Sequence, residues 1–321
     1  MCAHHVVTRW FGRTAVRPYV LVILFLFVPG VALASGEPDA FALSGISART
    51  GGMGNAFIGL SDDIESIYYN PAGLGNLIDS GVTAMYQTPM LQTSRSFLGL
   101  NKRLSYPSLS GSIGFGWLRL RSTDIELTSS DERILGTDTL TNDLFLLGAG
   151  VHPLAHWSAG LSLKYFRFAF NGFTESGFGW DAGVHAQYNP FRFGFALTDI
   201  TGTTLKGASA EPGATEAKDK VPMRFRPGAA FTLNRPFDLP VDWSVDVDGL
   251  IKTQGAQDMR LFVGSELWVF NGRAALRGGI EQQVGPTIGF GLRLGMFQLD
   301  YSYLFSAHLQ DENRLGTTIH F

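Results

Sequence analysis

The sequence has little of what most enzymes and nucleic-acid binders rely on. It carries one cysteine, Cys2, and only 17% charged residues, with a formal net charge of −3. A lone cysteine excludes an internal disulfide framework, and the absence of a Lys/Arg block leaves no electrostatic footprint for nucleic acid. After Ala34 no apolar stretch approaches the roughly 20 residues a spanning helix needs. An exported chain of this kind meets a membrane only as a β-barrel. There is no G-x-S-x-G elbow, and "GGMG" at 51–54 lacks the Lys-Ser/Thr that completes a phosphate loop. His185 and His320 stand on distant segments without metal-ligand spacing. The sequence therefore offers no catalytic residue, no cofactor motif and no metal site.

The first 34 residues have the layout of a secretory leader. Arg9, Arg13 and Arg17 precede the apolar run Tyr19–Ala34, and Ala32 and Ala34 form a small-x-small cleavage pattern, with the cut expected after Ala34. Cleavage would remove Cys2 and three of the 25 basic residues but no acid, leaving 22 basic against 28 acidic residues. Cys2 precedes the apolar run, so it is not a lipid attachment site.

What the chain does have is alternation. In "VDWSVDVDGL" Val241, Trp243, Val245 and Val247 share one face, and Asp242, Ser244, Asp246 and Asp248 share the other. "WDAGVHAQY" (180–188) and "FQLDYSYLF" (297–305) repeat the theme. A period of two predicts half-exposed strands. Fourteen such segments are expected, near 80–88, 95–103, 110–120, 142–151, 156–168, 178–188, 191–199, 223–233, 241–250, 259–269, 272–280, 286–294, 296–305 and 313–321. Alternation also describes a soluble sandwich. Aromatics at the ends of the apolar faces (Trp157, Trp180, Tyr188, Tyr301, Phe321) and charges on the opposite faces favour a membrane barrel with an aromatic girdle and a polar lumen. Short joins alternate with longer ones, notably 121–141 and 200–222, which are expected to be polar loops on the outer rim. The fold class read from this is all-β: an antiparallel transmembrane β-barrel of about 14 strands over 80–321.

Residues 35–79 do not alternate. Phe41, Phe57, Ile58, Ile67 and Tyr68 in this segment need burial, and a lumen of about fourteen strands accommodates a folded plug. The segment is expected there as an N-terminal hatch whose apolar residues line a ligand route. Ser61 or Asp62 is expected to cap a short helix over 63–69 that Pro71 ends. Asp62, Asp63 and Glu65 supply too few oxygens for Ca²⁺, so helix capping is their expected role. On the barrel, Asp242, Asp246 and Asp248 are expected to form a lumenal charge network with Arg260, Arg273, Arg277 and Arg293.

The stretch "ARTGGMGNAFIGLSDDIESIYYNPAGL" (48–74) resembles the N-terminal signature of the PorV/PorQ-like family within the FadL group of outer-membrane proteins. The C-terminal Phe321 is similar to the terminal aromatic of bacterial outer-membrane barrels. The resemblance implies a fourteen-stranded barrel with an N-terminal hatch fixed by Asn70-Pro71-Ala72. It also implies a protein without enzymatic activity in the outer membrane of a Gram-negative bacterium, in contact with outer-membrane lipids and folded by the barrel assembly machinery. Two functions follow from it: passage of a hydrophobic small molecule past the hatch, or an accessory role in secretion or envelope assembly that binds an exported protein. The polar joins 121–141 and 200–222 lack the apolar arm expected for fatty-acid capture.

Overall fold

The computed structural model describes residues 39–321, apart from 91, 107–108, 129–130, 132, 209–217, 237–238, 254–258 and 307–310. The expected leader lies outside the described residues. No helix among the described residues is long and apolar enough to cross a membrane.

Sixteen strands follow in chain order: β1 (Gly81–Met90), β2 (Thr93–Tyr106), β3 (Leu109–Thr128), β4 (Ile134–Leu154), β5 (Trp157–Phe170), β6 (Phe173–Tyr188), β7 (Phe191–Thr198), β8 (Thr204–Ala208), β9 (Lys218–Lys220), β10 (Arg224–Asn234), β11 (Asp242–Lys252), β12 (Met259–Val269), β13 (Ala274–Glu281), β14 (Gly285–Leu294), β15 (Phe297–Leu304) and β16 (Glu312–His320). β8 and β9 form a side hairpin, and the other fourteen close an antiparallel barrel through the β5–β6 and β1–β16 pairings. All fourteen expected strands are present.

The exposure pattern is that of a barrel turned inside out relative to a soluble core. Phe178 is 61% exposed on the outer face, whereas Asp181, three residues on, is fully buried on the inner one. In β11, Trp243 and Val247 face out while Asp246 and Asp248 are buried. Charged side chains are rarely buried in soluble proteins unless they are paired. An apolar outer face over an ionic interior is the arrangement that lipid outside and a polar lumen inside impose. The girdle residues Trp157, Trp180, Tyr188, Tyr301 and Phe321 are all on the exposed face.

The joins separate into two rims. One rim has tight turns, including Asn271-Gly272, whose φ values of 57° and 76° are those of a primed hairpin turn. The other carries the longer excursions, and here two expectations are corrected. The described residues of 121–141 are not a loop: β3 and β4 stay paired beyond Ser122 and Thr141, where their outer neighbours stop, and project as a two-stranded ribbon. Likewise 200–222 contains β8 and β9. Outside the bilayer neither face of a ribbon must be apolar, so its strands lack the alternation that marks the wall.

Candidate functional site

The lumen is occupied by residues 39–80. This segment makes only short helical turns: α1 (Ala40–Leu43), α2 (Ala48–Gly52), α3 (Ser66–Tyr69) and a 3₁₀ turn at Pro71–Asn76. Glycine-rich stretches and isolated helices this short do not persist alone, so the barrel must hold them. Ser47 caps α2 by accepting from the Thr50 amide. The helix expected over 63–69 is confined to Ser66–Tyr69, and its N-cap, Glu65, makes no side-chain capping bond. Asp62 and Asp63 instead pair with Arg49 at 3.0 and 3.2 Å. Burial, with Asp63 alongside, pushes the Glu65 carboxyl well above the usual range, and its Oε2 has no hydrogen-bond partner.

Asn70 joins segment to wall. Its backbone is extended (ψ 101°), as the following proline requires. Its Oδ1 accepts from the Ala72 amide at 3.2 Å and its Nδ2 donates to the Val184 carbonyl at 3.1 Å. Pro71 opens the 3₁₀ turn and Ala72 is fully buried within it. Close beside, Asn76 Nδ2 donates to His185 Nδ1 at 3.0 Å, which places the imidazole proton on Nε2, donated to the Gly59 carbonyl at 2.7 Å.

Phe41, Phe57, Ile58, Ile67 and Tyr68 are all buried in one apolar cluster with Met53, Tyr69, Leu74 and the wall residues Phe97, Leu118, Leu144 and Phe166. The cavity bounded by Asp39, Tyr68, Lys164, Phe166, Asp199 and Arg226 has a volume of about 10 Å³, room for about one water. Of the five side chains, Tyr68 borders this cavity, and all five are packed into the apolar cluster.

On the side of β11–β15 the segment is held by charge. Arg49 makes a two-pronged pair with Glu266 at 2.8 and 3.0 Å, and Glu266 also accepts from Arg277, which reaches Asp300 at 2.8 Å. Asp248 accepts from the Phe57 and Ile58 amides, and Asp246 from that of Leu60. Arg293 continues the chain to Gln298 and lies over the Trp268 ring beside Arg277. The members of the expected network have separate partners here: Asp246 and Asp248 accept backbone amides of the lumenal segment, while Arg277 pairs with Glu266 and Asp300 and Arg293 with Gln298. Arg260 lies near the opposite end of β12, Asp242 accepts from the Arg235 amide at the short-turn rim, and Arg273 is exposed there. At those two rim positions solvent is within reach, so no lumenal partner is required. Arg49, Glu266 and Asp300 were not expected. Nothing local marks them, because Arg49 and Glu266 are 217 residues apart.

On the side of β4–β6 the contact is close and uncharged. A Cβ on Gly160 would stand 2.2 Å from the Pro71 carbonyl oxygen, and one on Gly183 would stand 2.0 Å from Asn70 Oδ1. Across the lumen, Gly279 leaves the same room for Met53. These glycines let the segment's backbone lie directly on the strands.

No family model and no curated protein matches the sequence. Solved structures do match. The toluene transporter TbuX of Ralstonia pickettii is 13% identical, with 88% of this chain and 100% of that chain covered and a TM-score of 0.59. The P. putida toluene transporter TodX is 10% identical, with 87% and 99% covered and a TM-score of 0.60. A Pseudomonas aeruginosa FadL homologue is 12% identical, with 86% and 98% covered and a TM-score of 0.55. The chain has the fold of these proteins. At this identity the likeness is one of architecture.

Proposed function

We propose that the protein is an outer-membrane barrel that binds hydrophobic small molecules and passes them across the membrane, with the lumenal segment acting as its hatch. The observation that carries this reading is the apolar cluster running through a charge-lined barrel. A pore for ions or sugars would keep its lumen wet, whereas this one presents Phe41, Phe57, Ile58, Ile67 and Tyr68 to one another and to the wall. TbuX and TodX, which share the fold, are toluene transporters. In this reading residues 1–34 are a leader cut after Ala34, residues 35–79 the hatch and residues 80–321 the barrel, assembled into a Gram-negative outer membrane.

Uptake of radiolabelled toluene by vesicles containing the purified protein tests it directly. Faster uptake than by empty vesicles is expected, and equal rates would remove the reading. One observation favours a second function, the PorV/PorQ-like accessory role. The β3–β4 ribbon projects beyond the wall with Ile134 and Leu135 65% and 71% exposed, a surface suited to an exported protein. Photocrosslinking from position 135 that captures exported proteins, together with absent toluene uptake, would decide for it.

A further inference from the structure

The β8–β9 hairpin does not behave like the ribbon beside it on the same rim. Leu205 and Val221 are fully buried and belong to the apolar cluster that contains Phe41, Ala42, Tyr68, Leu144 and Phe166. The register explains how they get there. β6 pairs with β7 as far as Ala182↔Leu197 and with β8 from Ser176↔Lys206. Six residues separate 182 from 176 while nine separate 197 from 206, so β8 continues β7 after an insertion of three residues. The inserted stretch has left-handed backbone at Asp199 (φ 55°) and Gly202 (φ 62°), which turns the hairpin inward across the mouth. It lies on the lumen face of β6, where a Cβ on Gly177 would stand 2.5 Å from the Thr204 carbonyl oxygen.

Beside these two apolar anchors, the described ladder to the wall is short and the base is polar. Among the described residues, β8 pairs with the wall through Thr174–Ser176 and β9 pairs with β8. The base is tied by Lys164, whose Nζ contacts Asp181 at 2.9 Å and Asp199 at 3.0 Å. Asp199 also donates its amide to Asp181 and accepts from Thr203, and the Thr203 carbonyl accepts from the Val221 amide. A short ladder on a hinge of left-handed residues opens at lower free energy than the long wall ladders.

We propose that β8–β9 is a lid over the outer mouth, and that Leu205 and Val221 occupy the site where an uncharged apolar ligand binds once the lid lifts. Together the two side chains match a monocyclic hydrocarbon in size. They share the apolar cluster with Leu144 and Phe166, and those two residues border a small cavity whose other walls include Lys164 and Arg224. This deepens the transport reading and rests on it for the identity of the cargo.

The test uses the mature protein, which the cut after Ala34 leaves without cysteine, in lipid vesicles with Leu205→Cys, probed with a water-soluble maleimide. Labelling should be slow, and at least tenfold faster with saturating toluene or with Lys164→Met added. Labelling as fast as at an exposed Leu135→Cys control, or unmoved by either treatment, would overturn the lid. Should Lys164→Met fail to fold, the pair Ser176→Cys and Lys206→Cys, which sit opposite one another, serves instead. Oxidation should cut toluene uptake at least tenfold and a reductant should restore it. Equal uptake by locked and unlocked protein removes the lid and leaves transport standing. A lid that responds to toluene in vesicles without uptake sustains the inference and removes transport.

Discussion

The lumenal segment meets the barrel in two different ways. Against β4–β6 it is seated backbone to strand on Gly160 and Gly183, with neutral polar clips at Asn70, Asn76 and His185. Against β11–β15 a glycine, Gly279, seats it too, but there buried ionisable side chains also hold it: Arg49 on Glu266, and Asp246 and Asp248 on three of its amides. A glycine seat depends on shape alone and is either matched or lost. A buried ionic latch has its cost of desolvation already balanced by its partners, so loss of one partner exposes that cost in full. The difference suggests a fixed side and a releasable side, and substitutions can set one against the other.

The largest effect is expected on the charged side. Glu266→Ala leaves Arg49 and Arg277 short of a shared carboxylate and should cost about 3–5 kcal/mol, read from urea midpoints by heat-modifiable gel migration. Adding Arg49→Met should recover part of that loss; full additivity would show that the two residues do not act as a pair. On the seated side, Gly160→Ala forces a methyl group against the Pro71 carbonyl and should cost about 1–3 kcal/mol. A neutral result there would mean that the seat is loose.

Smaller still is Asn70→Ala, at about 1–2 kcal/mol, from loss of the cap on Ala72 and the clip to Val184. It should loosen the segment while leaving the heat-modifiable barrel intact. The smallest concerns Glu65, whose carboxyl titrates higher in the folded protein than in the unfolded chain. The unfolded chain therefore ionises first, and Glu65 makes the protein lose stability as pH rises above about 4.3, the unfolded value. Glu65→Gln removes that slope and should leave stability at pH 7 equal to wild type or higher by about 1 kcal/mol. A loss at pH 7 would show that Glu65 is charged and paired.

The wall was legible because each strand carries its own instruction. The pattern of 241–250 announces which side chains face lipid without reference to any other strand, and the observed β11, Asp242–Lys252, follows it. The latch was not legible because its two halves are remote in sequence and meet only when the barrel closes around Arg49. The seat was equally silent: a lumen-facing glycine looks like a weak strand position until something is found resting on it. Asp62 and Asp63 look like helix caps in isolation, and a nearby buried guanidinium outcompetes that role. The β3–β4 ribbon and the β8–β9 hairpin escaped notice for one shared reason, since neither lies in the bilayer that enforces alternation.

The central claim is that residues 39–76 close a barrel that is otherwise open. Single-channel conductance in planar bilayers, comparing wild type with a deletion of 39–76, tests it most directly. Wild type should be silent and the deletion should open a wide, steady channel. A deleted barrel as tight as wild type, with the barrel shown to be folded by heat-modifiable migration, would contradict the account.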